Sequence, residues 1–179
     1  MSSYKRLPPL VAATAIVTLL TVAGCGFQLR SAPKVPPEMA RTYIATDDLH
    51  SLFYRRFRRA LENAGADVVD SASEATAQFA ILTDDTGQRV LSVSARNVPR
   101  EYEVYYTIFY TVTNGEQVLL APQLQTLTRD YTWDETEVLG KSREEELMRE
   151  AIVDDLVRTV LIQLSALEPP PVTAPPAGE

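Results

Sequence analysis

Tyr102-Glu103-Val104-Tyr105-Tyr106-Thr107-Ile108-Phe109-Tyr110-Thr111-Val112, followed closely by Asn114-Gly115, is the stretch from which the rest of this 179-residue chain can be placed. Tyr102, Val104, Tyr106, Ile108, Tyr110 and Val112 fall on one side of a period of two; Glu103, Tyr105, Thr107, Phe109 and Thr111 fall on the other. Aromatic and β-branched residues in such alternation predict a strand with one buried face. Asn114-Gly115 predicts a type I′ hairpin turn, whose twist matches that of the strands it joins. Residues 117–121 then return antiparallel, Pro122 removes a backbone donor and marks an edge or a kink, and residues 124–133 continue as strand. The aromatics crowded here are expected to pack across strands rather than to form a ligand-stacking platform.

Upstream of this hairpin, residues 78–95 predict another long strand, bent at Asp84-Asp85-Thr86-Gly87, where the glycine fits a bulge or a tight turn. Residues 41–46 predict a short strand, and Val68-Val69 a shorter extended piece. Between them Leu49, Leu52, Phe53, Phe57, Ala60, Leu61 and Ala64 recur at three- and four-residue steps, the apolar stripe of a helix. Asp47 and Asp48 are its expected caps, and Gly65 its left-handed stop. Arg55, Arg56, Arg58 and Arg59 lie on its other side. They are read as a solvated face whose stems cover the core edge, with Arg56 the most structural; docking of phosphate or carboxylate is the alternative.

Downstream, residues 133–141 break the alternation and read as a loop, and Ser142 with Glu145 predicts a capping box for a second helix. Leu147, Met148, Ala151, Ile152, Leu156, Val160, Leu164 and Leu167 form its stripe, widened by Val153, Val157 and Leu161. So wide a stripe implies a central core helix, or one edge turned to a partner. The element order predicts an α+β fold, two helices packed on one face of a roughly four-stranded, mostly antiparallel sheet, with the second sheet face uncovered.

Outside residues 41–168, assigned to that domain, the chain changes character. Lys5 and Arg6 precede an apolar segment over residues 10–23, which is shorter than the roughly 20 residues a bilayer span needs and reads as an export signal. Val22-Ala23-Gly24-Cys25 resembles a bacterial lipobox, so residues 1–24 are expected to be removed and Cys25, the single cysteine, to be acylated. At about 0.8 kcal/mol per buried methylene, two or three chains anchor a protein where one does not. Gly26 in place of the aspartate that retains lipoproteins at the inner membrane implies sorting to the outer membrane, on its periplasmic side. Residues 25–40, with Pro33, Pro36 and Pro37, read as a lipid-anchored tether, and residues 169–179 as a disordered tail.

Composition excludes several functions. Setting aside Lys5 and Arg6 leaves 15 of the 17 basic residues against 24 acidic ones, a formal charge of −9, which argues against nucleic acid as a partner. One cysteine permits no internal disulfide. One histidine, His50, and no free thiol leave no histidine-cluster or Cys/His metal site and no Cys-His nucleophile, and no cofactor is expected. His50 itself reads as a solvated residue of the first helical turn. No G-x-S-x-G elbow occurs, and Asp84-Asp85 and Asp154-Asp155 read as a turn and a helix face, so an enzyme is not expected.

Cys25-Gly26-Phe27-Gln28-Leu29-Arg30, then Arg100-Glu101-Tyr102-Glu103-Val104, in the order helix, three strands, helix, resemble the LPS-assembly lipoprotein LptE family over nearly the whole chain from Cys25 to Leu167. The resemblance implies an outer-membrane lipoprotein that plugs the β-barrel of LptD, assists its assembly and helps deliver lipopolysaccharide to the cell surface. It also implies that a barrel wall covers the open sheet face. Lipopolysaccharide binding is carried in that family by basic residues at the sheet edge and beside the last helix; by order these match Arg96 and Lys141. Arg100 is a third candidate on chemical grounds, since arginine and lysine pair with the phosphates of lipid A. Val98-Pro99 departs from the family pattern in the Arg96 loop. A different transport-auxiliary lipoprotein, or a lipid-anchored periplasmic hydrolase, is the alternative.

Overall fold

The computed structural model describes residues 34–133 and 138–167; Cys25, the signal and the C-terminal tail lie outside the described residues. In chain order the elements are β1 (Arg41–Ala45), α1 (Leu52–Asn63), β2 (Asp67–Val69), β3 (Ala77–Val93), β4 (Pro99–Asn114), β5 (Gln117–Thr132) and α2 (Val138–Ser165). The strands form one sheet in the order β2-β1-β3-β4-β5. β3, β4 and β5 are an antiparallel meander, whereas β1 runs parallel to both its neighbours. The α+β fold with two helices on one sheet face therefore holds, with five strands rather than about four. The extra one is β2, whose three residues are too short to carry a period.

Helix α1 starts later than its acidic cap candidates imply. Ser51 is the cap, its Oγ accepting the Tyr54 N–H at 3.0 Å, and Asp48 instead accepts the His50 N–H at 2.7 Å in a turn before the helix. Leu49 therefore sits outside the stripe, 56 % exposed. Phe53, Phe57 and Leu61 are wholly buried, and Gly65, at φ +97°, ends the helix. Phe57 lies 4.3 Å from Phe79 of β3, centroid to centroid and tilted, and Phe79 stacks on Tyr110 of β4 at 5.0 Å, so ring contacts tie helix to sheet.

Helix α2 begins at Val138, inside the expected loop, so Ser142 does not cap it; Glu145 accepts from Arg149 at 2.6 Å instead. Ile152, Val153, Leu156, Val157, Val160, Leu161 and Leu164 are all buried, which uses the wide stripe within the domain. Leu147 is exposed. The end of the expected tether is also part of the fold. Residues Pro37–Met39 form a 3-10 turn, Met39 is fully buried, and its carbonyl accepts the Thr42 hydroxyl at 2.7 Å.

Two local expectations are corrected by the sheet, and the edge-or-kink expectation for Pro122 holds. β3 runs unbroken through Asp84–Gly87; the register shifts fall elsewhere, at Leu82 between the pairs Ile81–Tyr110 and Thr83–Phe109, and again between Val90 and Val93. Gly87 is needed for a different reason: a Cβ there would lie 2.7 Å from the Tyr105 hydroxyl, whose ring crosses β3 at this point. The hairpin turn is Gly115-Glu116, flanked by the pair Asn114–Gln117, with positive φ at Gly115 only, the pattern of a type II′ turn. Pro122 stands with Ala121 against Thr111 in a bulge of β5, the edge strand, where its missing donor costs no ladder bond.

One polar network is set into this core. The Phe53 N–H donates to the Tyr106 hydroxyl at 3.3 Å, which donates to Asp84 Oδ1 at 2.6 Å. Burial, and next the hydrogen bond to Asp84, push the Tyr106 phenol well above its usual range. Asp84 Oδ2 is buried without a hydrogen-bond partner among the described residues, so Tyr106→Phe removes the one side-chain donor this carboxylate has. The expected cost is about 1–3 kcal/mol, read as a lower urea midpoint at unchanged m-value; an unchanged midpoint would show that the network contributes nothing.

Candidate functional site

Alternation along β4 sends Tyr105, Thr107, Phe109 and Thr111 to the face opposite the helices. Cross-strand pairing sets Thr128, Thr126 and Leu124 of β5 beside the first three, and Gly87, Asp85 and Thr83 of β3 on their other side. The Thr107 and Thr126 hydroxyls meet at 3.0 Å. Leu124 is 65 % exposed and Val118, paired with Thr113 on the same face, 58 %. No described element packs on this apolar, threonine-rich surface.

A second surface lies at the end of the sheet where β3 turns into β4. The loop closes through Ser94 N–H to the Val98 carbonyl at 2.7 Å and Asn97 N–H to the Ser94 carbonyl at 2.9 Å, with Asn97 at φ +59°. Asparagine is one of the few residues that tolerate that conformation. Arg96 stands exposed at the tip. Arg100 lies on the next strand, its carbonyl accepting the Trp133 N–H at 2.7 Å. Because Tyr102 faces the helices, two residues along β4, Arg100 shares that side.

Among the described residues neither arginine has an acidic partner. Arg129, by contrast, is held by Asp155 at 2.8 Å and Arg149 by Glu145 at 2.6 Å, and Arg89 pairs with Glu103. Lys141 falls in the first turn of α2 rather than in a loop, and its side chain lies outside the described residues. The fold thus brings Arg96 and Arg100 into one hairpin, and β5 delivers the chain to the same end of the sheet before α2 begins.

The arginine cluster of α1 divides. Arg56 reaches Glu150 at 3.2 Å and Asp154 at 3.4 Å on α2, the structural role expected of it. Arg58 is equally engaged, with Tyr54 at 3.1 Å, Asp70 at 3.0 Å and Glu62 at 3.3 Å, which sequence spacing did not single out. The Tyr54 hydroxyl, then Asp70, hold its guanidinium even more firmly protonated than usual. Arg55 and Arg59 are exposed.

The aromatics beside Arg100 pack across strands, as expected of the hairpin. Tyr102 stacks on Tyr131 at 5.6 Å and meets Trp133 edge-on at 5.8 Å. Tyr131 and Trp133 are two apart, continuing the β5 alternation by one residue beyond its last strand position. Among the described residues no group of three or more histidines, cysteines or carboxylates is placed to hold a metal ion.

Residues 35–164 match the family model described as "LptE: Lipopolysaccharide-assembly". The chain belongs to the LptE family. Among curated proteins it is 25 % identical over 152 residues to the LPS-assembly lipoprotein LptE of Yersinia enterocolitica, covering 82 % of this chain and 72 % of that one. To its Pectobacterium atrosepticum counterpart it is 26 % identical over 151 residues, covering 81 % of each. The solution NMR structure of lipoprotein B from Nitrosomonas europaea superimposes with a TM-score of 0.67 at 28 % identity, covering 79 % of this chain and 91 % of that one. LptE proteins act in lipopolysaccharide assembly as lipoproteins, not as enzymes. No described helix is long and apolar enough to cross a membrane.

Proposed function

We propose that this LptE-family chain is an outer-membrane lipoprotein, acylated at Cys25 and facing the periplasm, that plugs an LptD-type β-barrel. There it assists barrel assembly and helps deliver lipopolysaccharide to the cell surface. The observation that carries this reading is the uncovered sheet face: a threonine- and aromatic-rich surface with Leu124 and Val118 open to solvent fits a barrel wall that would cover it. Residues 1–24 are removed as a signal, and residues 25–33 link the anchor to the domain. Co-expressed with its barrel, the protein is expected to purify as a one-to-one complex that survives mild detergent. A freely monomeric protein with no effect on barrel assembly would sink the reading.

Arg96, Arg100 and Lys141 are the proposed phosphate contacts. Two arginines with no acidic partner among the described residues, on a protein of formal charge −7, are suited to a strong anion. Reversing all three charges is expected to weaken lipopolysaccharide binding at least about tenfold, with circular dichroism unchanged and a smaller effect at high salt. Unaltered binding would return the three to ordinary solvated charges.

A further inference from the structure

Helix α1 does not reach the hairpin end of the sheet. Its first turn is fixed level with Tyr106 by the Phe53 N–H bond to that hydroxyl, and Tyr106 pairs with Thr86 of β3. Beyond that level β3 continues on the helix side with Gln88 and Val90, paired with Val104 and Tyr102. Helix α2 lies over the neighbouring strands instead, with Glu145 against the Tyr131 hydroxyl. Val90 is accordingly 47 % exposed in spite of facing the core side.

Leu147 completes the feature. Glu150 and Asp154 face Arg56 of α1, and Leu147 lies three and seven residues before them, on the same flank of α2. It is 52 % exposed. The result is a trough with Gln88 and Val90 on its floor, Tyr102 and Trp133 along one side and Leu147 on its flank; it is apolar but for Gln88, whose amide oxygen accepts from the Tyr131 hydroxyl at 3.0 Å. Its mouth is the basic hairpin: Arg100 precedes Tyr102 by two residues, about 7 Å along the strand.

We infer that this trough seats an acyl chain of the same lipopolysaccharide molecule whose phosphates Arg96 and Arg100 take. The inference rests on the ligand reading proposed above and adds the apolar half of the site. Its ground is the matching polarity order: guanidiniums with no acidic partner among the described residues at the mouth, and exposed apolar side chains behind them, suit an amphiphile with phosphate at the head and hydrocarbon behind. Exposed side chains of this kind gain from covering by methylenes, and the aromatic edge beside Arg100 supplies a rigid wall.

The test compares intact lipopolysaccharide with its fully deacylated, still phosphorylated glycan, using the full acylated chain. Val90→Thr with Leu147→Gln, both mild changes at exposed positions, is expected to weaken binding of the intact ligand roughly tenfold. Binding of the deacylated glycan should stay at the wild-type value, which also certifies the fold. Intact ligand binding the double variant as well as the wild type overturns the trough; if that variant instead loses its barrel partner, the surface is a protein contact. Wild-type protein binding neither probe overturns both the trough and the ligand reading, whereas charge reversal at Arg96 and Arg100 should weaken both probes together.

Discussion

Phe57→Ala is expected to lower the stability of the domain by about 3–5 kcal/mol, the usual cost of removing a buried aromatic ring. Phe57 is wholly buried between Phe53, 5.3 Å away on its own helix, and Phe79, 4.3 Å away on β3. Phe79 in turn stacks on Tyr110, whose hydroxyl donates to Gln163 of α2 at 2.6 Å. Removing the ring opens a cavity between helix and sheet, in the middle of this chain of aromatic contacts. Chemical denaturation measures the loss. A cost under about 1 kcal/mol would mean that the neighbouring rings repack and that the stack is not the centre of the core.

Leu124→Asp combined with Val118→Asp is expected to abolish recovery of the barrel partner while leaving the isolated domain folded. Both side chains are mostly exposed in the free protein, so folding should change by about 0.5 kcal/mol or less for each. In the proposed complex the same positions lie under a barrel wall, where an unpaired carboxylate costs several kcal/mol. Pull-down from detergent extracts, with circular dichroism as the control for folding, reads the difference. Full recovery of the partner by the variant would move the contact to another face.

The parts of the fold legible in sequence are those where one residue set serves one purpose. Tyr102 to Val112 alternates because one side is buried and the other is not, and the burial of Val104, Tyr106, Ile108, Tyr110 and Val112 follows that alternation. The stripe of α1 and the glycine that ends it were legible for the same reason. The cap was not: Asp48 and Ser51 are both good caps, and it is Ser51 that accepts, in a first turn whose Phe53 N–H also meets the Tyr106 hydroxyl from a distant strand. Gly87 looked like a bend and is a space left for a ring from the next strand, which no local pattern encodes.

The candidate site divides in the same way. Arg96 and Arg100 were nameable from their positions flanking a strand, but that neither has an acidic partner among the described residues depends on which carboxylates the fold brings near. Arg89 and Arg129 are equally basic in sequence and are matched by Glu103 and Asp155 only through strand pairing and helix packing. The trough depends on where α1 starts relative to β3, a relation between elements separated by an entire crossover.

Taken alone, the sequence determined the strand and helix periods, the acidic body, the lipobox resemblance at Cys25 and the family order of elements, because each is a local or compositional property. Tertiary structure alone decided the parallel insertion of β1 between β2 and β3, the engagement of Arg58 with Asp70 beside that of Arg56 with α2, and the exposure of Val90 and Leu147. Those depend on distances between residues far apart in the chain, which periodicity does not carry.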